Sequence, residues 1–146
     1  MKCPIIKKCG GCFYPQDQYQ EELKEKTLFI EKEIKKRKIK IDVKLTVASP
    51  LVNGYRNKAI VAFNQKYEYG LYEEHSQDII PYKHCLLHED IMDEILQYIQ
   101  SYLRKYRVSI YDRKRHKGLL RHVLIRRGVK TDQTMGIFLI IKISIH

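Results

Sequence analysis

The chain has 146 residues, of which 44% are hydrophobic, and a formal net charge of +11 at pH 7. This composition excludes a wholly disordered chain, and the length allows one domain with a real core. The sequence has neither an apolar run near the ~20 residues of a membrane span nor a secretory h-region, so we expect a cytoplasmic protein without a membrane partner.

The positive charge is concentrated in one part of the chain. Between Arg104 and Lys130 there are eleven Lys or Arg residues and one acidic residue, Asp112. Such a local excess attracts polyanions at long range. A merely solvated basic surface is the alternative for a scattered excess, but this concentration favours a nucleic acid as the partner.

The first 16 residues form a loop that contains cysteine, glycine and proline, and a helix follows it. Apolar residues recur at helical spacing from Gln18 to about Lys38, which predicts an amphipathic helix over that range. Asp17 is the expected N-cap, because Gln20 three residues later completes a capping-box pattern.

Strand-like sequence comes next. Residues 40–49, KIDVKLTVAS, alternate apolar and polar side chains and predict a strand that Pro50 ends. Residues 55–65, YRNKAIVAFNQ, predict a second strand. One face of that strand carries three apolar residues, Ala59, Val61 and Phe63. Residues 66–82 predict a hairpin that returns the chain to Cys85.

A second helix and a last pair of strands complete the pattern. From His88 to Tyr106 apolar residues step at three to four positions, which predicts a helix. The stepping residues are Ile91, Ile95, Ile99, Tyr102 and Tyr106. We expect the tyrosines of this helix, Tyr98, Tyr102 and Tyr106, to be packing residues. Residues 118–128 and 135–145, joined by a turn at 130–134, predict an antiparallel pair. The whole indicates an α+β fold, an antiparallel sheet with two amphipathic helices.

The cysteines are arranged as three close together and one remote. Cys3, Cys9 and Cys12 lie in CPIIKKCGGC, and Cys85 lies far along the chain in YKHCLLH. A disulfide framework is not expected in a cytosolic protein. Two kinds of metal site therefore remain, together with the alternative of four unliganded thiols.

The spacing favours an iron–sulfur cluster over zinc. Zinc takes four tetrahedral ligands, usually as two close pairs, and His84 or His88 could contribute. A [4Fe–4S] cluster takes four thiolates, commonly three in one loop and one remote, and Gly10 and Gly11 let the backbone wrap closely around it. We interpret the two histidines as ordinary polar residues at a loop and a helix start.

Several segments in order resemble a known family. CPIIKKCGGC, ASP (48–50), YRNKA (55–59), the remote cysteine and GLLRHVLIR (118–126) are similar to the iron–sulfur subgroup of bacterial 23S rRNA uracil-C5 methyltransferases. The resemblance runs from Cys3 to about Met135. It implies that a [4Fe–4S] cluster is bound by four cysteines, Cys3, Cys9, Cys12 and Cys85. It also implies a central domain between an N-terminal OB-like RNA-binding barrel and a C-terminal methyltransferase domain.

The resemblance also defines what the chain is expected to lack. Uracil-C5 methylation needs a thiolate nucleophile, a base and a methyl donor held in a glycine-rich crevice. The cluster would occupy every cysteine, and no glycine-rich loop follows a strand, so we expect no catalytic residue in this chain. We expect S-adenosylmethionine to bind only in a missing catalytic domain. Another polypeptide could supply that domain in trans. We expect a cluster-binding loop at 1–16, a central RNA-binding domain at 17–135 and a divergent or truncated tail at 136–146.

Basic residues near turns and along the predicted GLLRHVLIRRG strand are the candidates for RNA contacts, since phosphate contacts position a protein on its nucleic acid. The candidates are Arg56, Asn57, Lys58, Arg113, Lys114, Arg115, Lys117, Arg121, Arg126 and Arg127. Regular alternation would place Arg121 on the face opposite His122 and Leu124.

The expected function is the iron–sulfur, RNA-binding portion of a SAM-dependent uracil-C5 methyltransferase acting on 23S rRNA, inactive by itself. The alternative is a stand-alone zinc-binding module that associates with RNA or ribosomes. An iron–sulfur electron-transfer protein is a third hypothesis, and the long basic stretch disfavours it.

Overall fold

The computed structural model describes residues 3–14 and 16–141. The helices of this part of the chain are α1 (Tyr19–Lys36), preceded by a 3₁₀ turn at Gln16–Gln18, and α2 (Asp90–Lys105). The strands are β1 (Lys58–Phe63), β2 (Tyr69–Tyr72), β3 (Ile79–Pro81), β4 (Leu120–Arg127) and β5 (Thr134–Ile140). Over residues 3–14 and 16–141, neither helix is long and apolar enough to cross a membrane.

The five strands form one antiparallel sheet in the order β3-β2-β1-β4-β5. The hairpin predicted at 66–82 is β2 and β3, and the predicted final pair is β4 and β5, which are joined by a turn at 129–131. Residues 142–145 of the predicted last strand lie outside the described residues. The α+β class is therefore confirmed. Strand β5 continues the sheet through residues 136–140.

The core lies between α2 and one face of the sheet. The buried residues of α2 recur at three to four positions and include Met92, Leu96, Ile99 and Leu103. They pack with Ala59, Val61 and Phe63 of β1, the three residues predicted to share a face, and with Val123 and Ile125 of β4. The alternation of β1 thus identified the core side of the sheet correctly.

The opposite face of the sheet is open at its centre. Ile60, Leu124 and Ile137 lie side by side on β1, β4 and β5 because the register pairs Ile60 with Leu124 and Leu124 with Ile137. Ile60 is 46% exposed and Ile137 is 40% exposed.

The strand predicted at 40–49 is wrong. These residues have no regular secondary structure, and Leu45 and Val47 are 83% and 90% exposed. Thr46 is tied to α1 instead, since its N–H donates to Thr27 Oγ1 at 2.9 Å and the two hydroxyls lie 2.8 Å apart. Alternating side chains produce a strand only where a neighbouring strand can pair with it, and no strand of the described sheet does so.

The predicted ends and faces of the helices hold in part. Helix α1 lies within two residues of its predicted range, but its N-cap is Gln18, which makes no side-chain capping bond, rather than Asp17. The prediction that the tyrosines of α2 are packing residues is wrong. Tyr98, Tyr102 and Tyr106 are 73%, 51% and 57% exposed, and the ring centroids of Tyr102 and Tyr106 lie 4.4 Å apart. The buried apolar residues of α2 share Ile99 with the predicted stepping set, but the others, Met92, Leu96 and Leu103, each lie one position after a predicted residue.

Candidate cysteine site and basic surface

The four cysteines come together at one cavity. Cys3, Cys9, Cys12 and Cys85 all line it, together with apolar side chains such as Leu71 and Leu87. The N-terminal loop reaches Cys85 because it pairs with the end of β2. Gly10 donates its N–H to the Tyr72 carbonyl at 3.1 Å, and the Glu74 N–H donates to the Lys8 carbonyl at 3.3 Å. Backbone hydrogen bonds thus hold the N-terminal loop against the end of β2.

The loop is tight at Gly11. A Cβ atom there would lie 2.8 Å from Leu71 Cδ1 and 3.2 Å from Cys9 Sγ. The Gly11 N–H also donates to Cys9 Sγ at 3.4 Å. A residue without a side chain therefore lets the backbone pass close to the sulfur, and its N–H contributes positive character beside it.

Burial controls the charge of these thiols. It raises the pKa of Cys9 above its ordinary value, with the neighbouring Cys3 adding to the effect and the Gly11 N–H opposing it. Burial raises the pKa of Cys85 to about 11. The raised pKa values keep the thiols of Cys9 and Cys85 neutral at pH 7, and a positively charged centre bound beside them would favour their thiolate forms.

In the described part of the chain, no three of the four cysteine thiols all lie within 4.8 Å of one another. Among the described residues, the group of three or more His, Cys, Asp or Glu whose ligand atoms all lie within 4.8 Å of one another is His84, Asp90 and Asp93, which contains no cysteine. Four thiolates around one zinc ion lie about 3.8 Å apart, given tetrahedral Zn–S bonds of about 2.3 Å. A four-iron cube binds each thiolate through a different iron and therefore spaces them further apart.

A buried carboxylate lies behind Cys85. Asp93 on α2 is 3% exposed, and its Oδ2 accepts the Cys85 N–H at 3.0 Å and lies 3.2 Å from His84 Nδ1. Its Oδ1 lies 3.5 Å from His88 Nε2 and makes no hydrogen bond. Burial raises the pKa of Asp93, while the Cys85 N–H and the two histidines oppose that rise.

Sequence reasoning missed Asp93. The available signal was an acidic residue on the buried side of a helix, three positions before Leu96, and it was hidden because the helix start is rich in acidic residues. The histidines interpreted as ordinary polar residues both lie beside this carboxylate, and His88 is 4% exposed.

The basic candidates fall into separate groups on the surface. Arg56 lies against the cysteine loop, where its Nη2 donates to the Gly11 carbonyl at 3.1 Å. Lys58 and Arg126 are register partners on β1 and β4, so they lie side by side at one end of the open sheet face. Asn57 lies just before β1, and its carbonyl accepts the Arg127 N–H at 2.8 Å.

Two acidic partners balance the charge of Arg127. Its side chain is 18% exposed, its Nε lies 3.3 Å from Glu89 Oε2, and it also pairs with Asp132. This arrangement joins β4 to the start of α2 and to the β4–β5 turn.

The remaining basic residues surround a turn at 112–117. The Asp112 and Lys117 backbones pair, with the Asp112 N–H donating to the Lys117 carbonyl at 2.6 Å. The Asp112 Oδ1 accepts the N–H groups of Lys114 at 2.8 Å and Arg115 at 3.1 Å, which fixes the turn from inside. The side chains of Arg113, Lys114 and Arg115 remain exposed.

The predicted placement of Arg121 opposite His122 is wrong. The register of β4 against β5 shifts between Leu120 and His122, which leaves Arg121 as the extra residue of a β-bulge. Arg121 lies over the Tyr111 ring, 5.7 Å from its centroid, and lines the same cleft as Tyr72, the hydrogen-bond partner of His122. The bulge therefore brings Arg121 and His122 to one side of the domain.

Comparisons with known proteins find relatives that share a single description. No protein-family model matches the chain. An "uncharacterized RNA methyltransferase" of Clostridium tetani is 35% identical over 146 residues, which cover 91% of this chain and 30% of that protein. A protein of the same description from Listeria innocua is 32% identical over 94% of this chain and 32% of its own length. The chain spans about a third of the length of the curated relatives it matches.

A solved structure has the same fold. It is a tRNA (uracil-54, C5)-methyltransferase of Pyrococcus abyssi in complex with S-adenosyl-L-homocysteine. The TM-score is 0.71 over 96% of this chain and 33% of that one, and the sequence identity is 22%. At this identity the likeness shows the fold alone.

Proposed function

We propose that the chain, which is similar to bacterial RNA methyltransferases over about a third of their length, is the iron–sulfur, RNA-binding part of an RNA uracil-C5 methyltransferase acting on ribosomal RNA. The observation that carries this proposal is the convergence of all four cysteines on one cavity. Because the four thiols share that cavity, none is left as a separate nucleophile for uracil, so the chain alone is inactive. S-adenosylmethionine would then bind a catalytic domain outside this chain.

The cysteine site fits a [4Fe–4S] cluster. Cys3, Cys9, Cys12 and Cys85 would hold it, and the three-plus-one arrangement of the cysteines in the sequence and the tight passage at Gly11 support that choice over zinc. When bound, the cluster supplies a covalent cross-link between the N-terminal loop and the segment before α2. Methyl transfer moves no net electrons, so the role is structural: it holds the basic surface in one arrangement.

The first experiment is the iron, sulfide and zinc content of the anaerobically purified chain. The proposal expects about four irons and four sulfides per chain, with broad visible absorbance that air removes. One zinc ion per chain without colour would contradict it and would make the chain a zinc-binding module.

A pair of variants separates the two kinds of metal site. Cys85→Ser should lose iron and sulfide, because it removes the remote ligand. His84→Gln changes a polar side chain that lines the same cavity but is outside the four-cysteine set, and it should retain both. Metal loss in His84→Gln together with metal retention in Cys85→Ser would overturn the ligand assignment.

Ribosomal RNA is the proposed partner, and the basic candidates of β1, β4 and the 112–117 turn are its contacts. In a competition experiment at physiological salt, the chain should bind a 23S rRNA fragment more tightly than a tRNA transcript of equal length. Long-range attraction to phosphate is the same for two RNAs of equal length, so it does not contribute to a difference in affinity. Equal or reversed preference would contradict the ribosomal assignment while leaving RNA binding itself intact.

A further inference from the structure

A cleft opens between the β2–β3 turn and the 112–117 turn. Its floor is the end of β1 at Ala62 and Phe63, and its volume is about 560 Å³. Sites that enclose small organic groups in proteins have volumes of roughly 300 to 1,000 Å³. The cleft is therefore large enough for a nucleotide, and it lies away from the four cysteines.

Three aromatic residues line this cleft, and β4 holds two of them, Tyr72 and Tyr111, in place. The Tyr72 hydroxyl lies 2.8 Å from His122 Nε2, and the Tyr111 ring lies under the Arg121 guanidinium at 5.7 Å. The Tyr111 hydroxyl also lies 3.3 Å from His116 Nδ1. A ring that is already fixed loses little conformational freedom when a ligand stacks on it, and the planar guanidinium offers a further stacking surface.

The rim of the cleft is suited to phosphate. Arg113 and Lys114 line it and are exposed. Two acidic residues, Asp78 and Asp112, also line it, but the Asp112 carboxylate is engaged by the backbone N–H groups of its own turn. Aromatic rings beside arginine planes, with basic side chains at the edge, are the means by which proteins bind unstacked bases of single-stranded RNA.

We propose that this cleft holds one unstacked base of single-stranded RNA between Tyr111 and Tyr72, with an adjacent phosphate on Arg113 and Lys114. This proposal rests on the proposed function, because it requires RNA as the partner. It adds the recognition of an individual base to the attraction between charges. Bases of a duplex are stacked on their neighbours and do not enter.

The test uses the whole chain and a fluorescently labelled single-stranded 12-mer of uridine, compared with a 12-mer that carries abasic sites. Tyr111→Leu should weaken binding of the normal RNA by about fivefold or more, the loss typical of one stacked base. Tyr111→Phe keeps the ring and should bind like the wild type. Tyr98→Leu is the matched control, because Tyr98 is 73% exposed on α2 and is not a cleft residue.

Binding to abasic RNA and the salt dependence of binding distinguish a loss of base stacking from a loss of folding and from a loss of charge attraction. On abasic RNA the wild type and Tyr111→Leu should bind equally, and the two proteins should share one salt slope on normal RNA. In wild-type chain, RNA with 4-thiouridine should form a photo-crosslink at Tyr111 or Tyr72.

Each result decides the proposal. Three results overturn the proposal of a base-binding cleft: equal binding of normal RNA by the wild type and Tyr111→Leu, an equal loss of affinity by Tyr111→Leu on abasic RNA, or a crosslink at other residues. The proposed function survives any of them as long as the wild type binds RNA. Failure of the wild type to bind RNA at low salt overturns both.

Discussion

The Cys85 N–H donates a hydrogen bond of 3.0 Å to Oδ2 of Asp93, a carboxylate that is 3% exposed. This bond connects the segment that carries the remote cysteine to the first turn of α2. Because α2 is packed on the sheet through its buried stripe, the bond fixes Cys85 relative to the core before any metal binds.

Asp93→Ala should lower the free energy of unfolding by about 1–3 kcal/mol, because it leaves the Cys85 N–H without its acceptor. Asp93→Asn should cost less, since the amide oxygen can accept the same N–H. Urea denaturation of the anaerobic chain measures both. Asp90→Ala is the control, because the Asp90 side chain is 80% exposed, and it should stay within about 0.5 kcal/mol of the wild type. Equal stability of Asp93→Ala and Asp90→Ala would rule out this bond as an anchor.

Gly70→Ala should destabilise the domain by about 1–3 kcal/mol or more, because added bulk in a close-packed site forces the backbone to shift. A Cβ at Gly70 would lie 2.2 Å from the Ile80 carbonyl oxygen, so β2 and β3 could not keep their spacing. Thermal unfolding compares this variant with Gly136→Ala, where the nearest atom would be the Phe138 ring at 4.0 Å. If both variants unfold at the same temperature, the close approach of β2 and β3 is not required for the stability of the domain.

Reversing Arg113 and Arg115 to Glu should weaken RNA binding irrespective of sequence. It should also make the slope of log affinity against log salt shallower by about 0.7 for each single-strand phosphate that the variant no longer neutralises. Fluorescence anisotropy over a salt series measures this slope. Reversal of Lys32 and Lys35 on α1 changes the net charge equally and serves as the control. An equal change of slope in both double variants would mean that the 112–117 turn makes no particular contact with RNA.

His122 should make the domain less stable in mild acid. Burial lowers the pKa of His122 below 6.5, and the positive charge of Arg121 lowers it further. Protonation is therefore easier in the unfolded chain than in the folded one. The stability contributed by neutral His122 is complete above pH 6.5 and is lost as the pH falls from there through the lower folded value.

The measurement is thermal unfolding between pH 7.5 and 5. His122→Gln should lose less stability over this range than the wild type. His75→Gln should keep the wild-type dependence, because the His75 side chain is 92% exposed. Parallel curves for wild type and His122→Gln would show that this histidine does not control acid stability.

The sequence by itself determined most of the local structure of this protein. Periodicity predicted both helices, the hairpin at 66–82, the final strand pair and the buried face of β1, because the repeat of apolar side chains is a local property of each segment. The spacing of Cys3, Cys9 and Cys12 indicated a metal-binding loop for the same reason. The concentration of positive charge predicted a polyanionic partner.

Only the tertiary structure decided which segments meet. Residues 40–49 alternate like a strand but find no strand of the described sheet to pair with, and the bulge at Arg121 moves one side chain relative to the rest of β4. The carboxylate of Asp93 lies behind Cys85 because α2 packs on the sheet at that point. Pairing, register and the convergence of distant residues depend on contacts between segments far apart in the chain, and the repeat within any one segment carries no information about them.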